Sequence, residues 1–283
     1  MPDREDPFAV QWLVGVELTR LRKQARRTVT EAAQAIGCSV GKISHMEAGR
    51  NQQRPDEVTT LLRLYGADQA DVDRLASLAG SAGQKMWWAP WTDVVPDWLR
   101  TYVGLEGLAC DAHWYSPLVL PAMLQTQQYS HGVTAGNIRV SPDHGDRVVR
   151  LRMERQQRLF HGDPPLRVTA LLEEAVLQRP IGGSTVMLEQ LRRLVELADR
   201  DNVDLRILPT ALGAHDGLVT PFSVLHFTAA QPIAYVEVVN GALYVQDQDQ
   251  VAGYTRTVER LRQAALSPAD SINAIRSHLD AVT

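Results

Sequence analysis

The chain has 283 residues, of which 45% are hydrophobic and 22% charged, and a formal net charge of -4. This length predicts two domains, and this composition is that of a globular protein, which excludes wholesale disorder. No long apolar run occurs, and the charged segment at residues 1–6 leads into none, so we expect neither a membrane span nor a signal peptide. The two cysteines, Cys38 and Cys110, lack metal-ligand spacing. A reducing, cytoplasmic location without metal, cofactor or disulfide is therefore expected.

The charge is unevenly distributed along the chain. Residues 10–65 contain nine Lys or Arg and five Asp or Glu, whereas residues 66–283 contain 19 basic and 25 acidic residues. A basic head on an acidic body is expected when only the head meets phosphate groups.

Hydrophobic spacing and turn residues divide the first 80 residues into five short helices. Apolar residues recur at helical spacing from Leu13 to Leu21. A capping box of Thr28 with Glu31 begins the second helix, and Gly37 suits its end. The remaining three are predicted over residues 40–48, about 55–65 and about 71–79.

A small, flexible segment at residues 80–84 is the predicted linker between an all-α domain at residues 10–79 and a C-terminal domain at residues 85–283. Helical and β-branched stretches alternate in the second domain, which predicts an α+β fold. The predicted helices cover about 96–111, 127–133, 143–160, 185–198, 247–264 and 268–282. The predicted strands cover 166–172, 203–208, 222–227 and 233–239.

A short helix, a three-residue turn and a second helix lie within about twenty residues, which is typical of a helix-turn-helix. Ser39 caps the second of these helices, and Ile43 and Met46 form its inner face. The outward positions would lie in the major groove of DNA. They are Val40, Gly41, Lys42, Ser44 and His45.

These residues resemble the Xre family of phage-repressor-like helix-turn-helix proteins. The matching positions are Leu21, Arg22, Thr28, Glu31, Gly37, Ser39, Ile43, Ser44, Glu47, Gly49, Arg50 and Pro55. The resemblance implies that Val40, Gly41 and His45 face base edges. It implies that a second set lies near the DNA backbone, namely Thr28, Val29, Ser39 and Arg50. Arg22 and Glu47 match a structural ion pair. Two departures stand out: Val29 replaces a phosphate-contacting Gln, and Arg26 replaces a glycine at the end of the first helix.

Further strings resemble a narrower group, the actinobacterial WhiJ-like regulators, over nearly the whole chain. They include Trp87-Trp88, residues 102–106, 121–126, 173–177 and 213–215. The resemblance implies an antitoxin-like regulator with a large C-terminal domain of unassigned function, and a small acidic partner protein encoded by a neighbouring gene.

Two functions follow. In the first, the protein is a transcription regulator that binds an operator in double-stranded DNA as a homodimer, located on the nucleoid and modulated by its C-terminal domain. In the alternative, the C-terminal domain holds the small cognate protein, and DNA binding is autoregulatory.

Several features of the C-terminal domain have two interpretations. The tryptophans either line a pocket for a small-molecule effector or dock the linker onto the core; they are Trp87, Trp88, Trp91 and Trp98. The basic run at residues 147–155 is read as a solvated helix face or a dimer contact rather than a second phosphate-binding face. His215 and Asp216, with Ser223 and Glu237, are residue types of a hydrolytic triad, but no positioning motif accompanies them, so no enzyme is expected.

Overall fold

The computed structural model describes residues 6–81 and 86–282. Within these ranges, every helix is too short or too polar to cross a lipid bilayer. The predicted linker falls partly outside them: Gly80 is the last residue of a helix that Ser81 caps, whereas residues 82–84 are not described. The domain limits at residues 10–79 and 85–283 stay a prediction.

Five helices make up residues 6–81, as the sequence predicts. They are α1 (Pro7–Gln24), α2 (Val29–Ala35), α3 (Val40–Glu47), α4 (Pro55–Leu64) and α5 (Gln69–Gly80). The first begins earlier than the spacing of its apolar residues indicated, because the Asp6 carboxylate accepts hydrogen bonds from the amides of Phe8 and Ala9. Gly37 and Gly49, with φ of 63° and 65°, end α2 and α3 in the left-handed conformation that glycine adopts without strain.

The C-terminal region alternates helices with strands, which confirms the α+β class. Its elements are α6 (Asp97–Leu108), β1 (Asp111–Ser116), α7 (Gln127–Ala135), α8 (Gly145–Phe160), β2 (Arg167–Glu173), α9 (Ala175–Gln178), α10 (Ser184–Ala198), β3 (Val203–Leu208), β4 (Phe222–His226), β5 (Ile233–Val238), β6 (Gly241–Val245), α11 (Gln248–Ala264) and α12 (Pro268–Val282). All the predicted helices and strands of this region are present, with ends shifted by a few residues.

One mixed sheet joins the six strands in the order β3-β2-β1-β4-β5-β6. The first three strands are parallel, and β4, β5 and β6 follow as antiparallel neighbours. The sequence prediction missed β1 and β6. Strand β1 is central, pairing with β2 on one side and β4 on the other, and it buries Ala112, Trp114 and Tyr115. Its short sequence lacks β-branched residues, so its strand conformation comes from these neighbours.

Both faces of the sheet are covered. Ala170 and Leu205 point into a core shared with α6, α7, α8, α10 and α12, whereas Leu171 and Val224 point into a smaller core under α11. Successive residues of a strand face opposite sides, which places these apolar side chains in separate layers.

Helix α1 contributes to two cores. Val14 and Leu18 pack with α3, α4 and α5, whereas Leu13 and Val16 belong to the main core of the C-terminal region. The helix therefore has two apolar faces. Gly15 brings it close to the end of α3, since a Cβ there would lie 2.7 Å from the carbonyl oxygens of Met46 and Glu47.

Candidate nucleic-acid interface

The α2–α3 pair has the geometry of a helix-turn-helix. Thr28 and Glu31 form the predicted capping box: the Thr28 hydroxyl accepts from the Glu31 amide at 3.1 Å, and a Glu31 carboxylate oxygen accepts from the Thr28 amide at 2.8 Å. Hydrogen bonds from Thr28, together with one from Arg27, lower the pKa of Glu31 to about 2. Ser39 caps α3 by accepting from the Lys42 amide at 3.2 Å, as predicted.

Helix α3 presents one side to the protein and the other to solvent. Ile43 and Met46 are fully buried, whereas Val40 is 46% exposed. Of the nine residues predicted to contact DNA, seven are exposed and two, Val29 and Lys42, are partly buried. The exposed ones are Thr28, Ser39, Val40, Gly41, Ser44, His45 and Arg50. The fold thus brings the predicted contact residues to an accessible surface on α2, α3 and the segment after α3.

Several of these polar side chains are engaged in bonds within the protein. Ser44 donates its hydroxyl proton to the Val40 carbonyl at 3.1 Å, and Lys42 Nζ lies 2.5 Å from a carboxylate oxygen of Glu57 on α4. The Ser39 hydroxyl accepts a bond at α3, which leaves its own proton for an external acceptor. Sequence reasoning missed Glu57, because a contact between α3 and α4 leaves no signal in local spacing.

The predicted ion pair between Arg22 and Glu47 is present and bidentate. Arg22 Nε and Nη2 donate to the two carboxylate oxygens at 2.6 and 2.7 Å, and the side chains are only 12% and 11% exposed. Hydrogen bonding to Glu47 raises the pKa of the Arg22 guanidinium. Arg22 also donates to the Arg27 carbonyl at 3.0 Å. It therefore fixes both α3 and the start of α2 relative to α1.

Arg26 occupies the position where the resemblance predicts glycine, and its backbone explains the preference. Its φ is 54°, in the left-handed region, which non-glycine residues rarely adopt. Its side chain is exposed, as is that of Lys23 near the end of α1. These two cations extend the basic surface beyond the residues that the sequence motif indicated.

The four tryptophans predicted for an effector pocket lie in two places. Trp88 is 2% exposed, and its indole nitrogen donates to the Asp6 carboxylate. Trp87 and Trp91 lie beside it, with ring centroids 6.4 Å apart. Trp98 instead lines a large cleft between α6, α8 and the sheet. The cluster around Trp88 thus connects the cap of α1 with the C-terminal region, and Trp98 alone of the four lines the cleft.

The residue types of a hydrolytic triad have other partners. His215 Nε2 lies 3.1 Å from Glu173, and Asp216 pairs with Arg260 at 2.6 Å. Among the described residues, no three His, Cys, Asp or Glu side chains are grouped to hold a metal ion.

The basic run at residues 147–155 is less exposed than predicted. Arg155 is 8% exposed and makes a bidentate ion pair with Glu106 at 2.6 and 2.8 Å. The interpretation as a solvated face is wrong for this residue, because α8 packs against α6 at Arg155, whereas Arg150 in the same run is exposed.

The fold of residues 6–81 and the exposed face of α3 define a helix-turn-helix DNA-binding protein. In agreement, a helix-turn-helix domain model matches residues 13–75, which supports DNA binding and transcription regulation. A second model, a domain of unknown function designated DUF5753, matches residues 99–277, more than half of the chain, and the chain belongs to this family. No curated protein and no solved structure matches the chain. The Xre, WhiJ-like and antitoxin-like assignments stay predictions from resemblance.

Proposed function

We propose that the protein is a sequence-specific transcription regulator that binds an operator as a homodimer through α3. The observation that carries this proposal is the division of α3: Ile43 and Met46 are buried, and the opposite face, with His45, is exposed. A helix held in this way fits the major groove, and the two α3 helices of a dimer would enter successive grooves about 34–36 Å apart.

The contacts divide into base reading and phosphate binding. His45 is the polar side chain of α3 best placed to reach base edges, since it makes no bond with another described residue, and Val40 offers an apolar contact to a thymine methyl group. Arg50 and the Ser39 hydroxyl would bind phosphates, and so would the backbone amide of Val29 at the start of α2. With few polar reading groups, specificity would also draw on dimer geometry and DNA shape.

The C-terminal region would modulate this binding through α1. Glu17 on α1 accepts a hydrogen bond from the Gln231 amide at 2.7 Å, and Arg74 on α5 donates to the Ala229 carbonyl. A displacement in the loop at residues 229–231 would therefore reach the helices that support α3. The same proposal locates the protein in the cytoplasm, on the nucleoid, and gives it no catalytic step. The resemblance to WhiJ-like regulators supports an actinobacterial, Xre-type member of this class.

Fluorescence anisotropy with DNA from upstream of the protein's own gene tests the proposal. Affinity should fall steeply with salt, and two protein chains should bind each operator. His45→Ala should weaken binding to the operator more than to unrelated DNA, whereas Arg50→Ala should weaken both and reduce the salt slope by about one. Arg276→Ala removes the same charge from the exposed face of α12 and serves as the control. Salt-independent binding, or equal affinity of all three variants, contradicts the assignment.

A further inference from the structure

A cleft of about 1070 Å³ lies at one end of the sheet, where its inner strands terminate. It is bounded by α6 and α8 and by the carboxyl ends of β1 and β5, where Tyr115 and Glu237 line it. Crevices at the carboxyl ends of strands are a frequent location of ligand sites in α/β sheets, and this volume suits a small organic molecule.

One cation in the cleft lacks an anionic partner. Arg152 on α8 donates only to neutral oxygens, those of Ser130 and Thr134, at 3.0–3.3 Å. Among the described residues, no carboxylate oxygen lies within 4.0 Å of a guanidinium nitrogen of Arg152, so it has no ion-pair partner there. Desolvation, with the nearby charge of Arg155, lowers the pKa of Arg152 to about 10. The negative charge of Glu237, which pairs with Arg139, acts on the pKa of Arg152 in the opposite direction but forms no ion pair with it. Arg155 is paired with Glu106, so Arg152 keeps a charge without an ion-pair partner among the described residues.

Polar atoms in the cleft also lack partners. Tyr235 is 5% exposed, and its buried hydroxyl has no hydrogen-bond partner among the described residues. The same is true of the side-chain oxygen of Gln125, which is 3% exposed and lines the cleft. A buried polar atom without a partner is unfavourable, and an occupant with matching polar groups removes that penalty.

The rest of the lining combines aliphatic side chains with several aromatic ones. Trp98, Trp114 and Phe222 face the cleft. Arg139 stacks over the Trp98 ring at 5.7 Å from its centroid and donates to the Val239 carbonyl at 3.0 Å. These contacts hold the loop that follows α7 at the end of β5. Apolar and aromatic walls around a cation that has no ion-pair partner favour an occupant with a flat or apolar body and one anionic group.

We propose that this cleft binds a small organic anion with an aromatic or apolar body. Its anionic group pairs with Arg152, its polar atoms meet the Tyr235 hydroxyl, and its body lies against Trp98 and Trp114. Such an anion would be the effector of the proposed regulator, and this regulatory part of the proposal rests on the proposed function. The binding half does not depend on DNA.

Helix α6 connects the cleft with the DNA-binding region. Trp98, Tyr102 and Glu106 line the cleft from this helix, while Gly104 meets α1. A Cβ at Gly104 would lie 2.8 Å from the Ala9 Cβ, so the backbone of α6 packs closely against the side chain of Ala9 on α1. A ligand that shifts α6 therefore acts directly on α1.

The test uses the full chain and a fluorescent aromatic anion, 8-anilinonaphthalene-1-sulfonate. Wild-type protein should bind it saturably at one site, and Arg152→Gln should raise its Kd at least tenfold. Arg150→Gln removes the same charge from an exposed position on the same helix and should bind like wild type. Tyr235→Phe removes a hydroxyl that bonds to nothing in the described protein, so its fold is preserved, and it should raise the Kd about threefold or more. Non-saturable binding, or equal binding by all three variants, overturns the site.

A second measurement separates the site from its regulatory role. Saturating probe should change the operator Kd of wild-type protein at least threefold and leave that of Arg152→Gln unaffected by the probe. Probe binding that depends on Arg152 but leaves the operator Kd unchanged overturns the regulatory half alone. Loss of all operator binding, with Arg152-dependent probe binding retained, refutes the proposed function and not the ligand site.

Discussion

Replacing Glu47 by glutamine tests how α3 is held in place. Glutamine keeps the shape of the side chain but removes its charge and one of the two oxygens that accept from Arg22 at 2.6 and 2.7 Å. Since the two side chains are 12% and 11% exposed, the guanidinium is left largely desolvated with only neutral acceptors, the glutamine oxygen and the Arg27 carbonyl. The loss of a charge-assisted hydrogen bond together with this uncompensated charge should destabilise α3 by about 2–3 kcal/mol.

Hydrogen–deuterium exchange of the α3 amides measures this loss locally. Exchange through opening of the N-terminal helices should accelerate roughly 30- to 140-fold, the factor that corresponds to about 2–3 kcal/mol. Asp56→Asn is the matched control, because its ion pair with Arg54 is 65–69% exposed and should contribute less than about 1 kcal/mol. Equal exchange rates in the two variants would refute the reasoning that Arg22 and Glu47 fix α3.

Three further predictions concern the backbone, the charge and the pH dependence of the protein. Arg26→Gly should relieve the left-handed φ of 54° and raise the free energy of unfolding, measured by urea denaturation, by up to about 1 kcal/mol. Lys23→Gly is the control, because glycine within a helix should lower the free energy of unfolding. Glu57→Gln should release Lys42 and tighten operator binding about two- to fivefold in anisotropy titrations, more than Asp56→Asn does; equal effects would argue against the ion pair as a restraint. Burial, with the neighbouring His113, lowers the pKa of His226 below its ordinary value of 6.5. The contribution of neutral His226 to the free energy of unfolding should therefore be fully present above pH 6.5 and should decrease as the pH falls below that value. His226→Gln should flatten this decline in thermal unfolding between pH 7 and 5, and an unchanged slope would assign the decline to other groups.

Local signals determined most of the N-terminal fold. The capping box of Thr28 and Glu31, the glycine at position 37 and the Ser39 cap all act within a few residues, so their sequence spacing specifies the backbone geometry directly. The same holds for strands rich in β-branched residues, such as β3 and β5. The resemblance supplied the long-range pair of Arg22 and Glu47, which spacing alone does not reveal.

The tertiary structure decided the features that depend on which segments meet. Strand β1 has a weak strand sequence and is held by β2 and β4, and α1 has two apolar faces because two cores meet on it. The restraint of Lys42 by Glu57 joins residues on different helices. In the sequence, Arg152 is one of several cations on an amphipathic helix. In the structure, packing against α7 desolvates its guanidinium at the cleft.

The sequence by itself determined the helix-turn-helix and its exposed face, because those follow from hydrogen bonds and periodicity over a few turns of helix. Only the tertiary structure decided which of those residues are free to bind, and that a cleft with a cation outside any ion pair lies one helix away from α1. Burial and charge balance are set by the packing of segments distant in the chain.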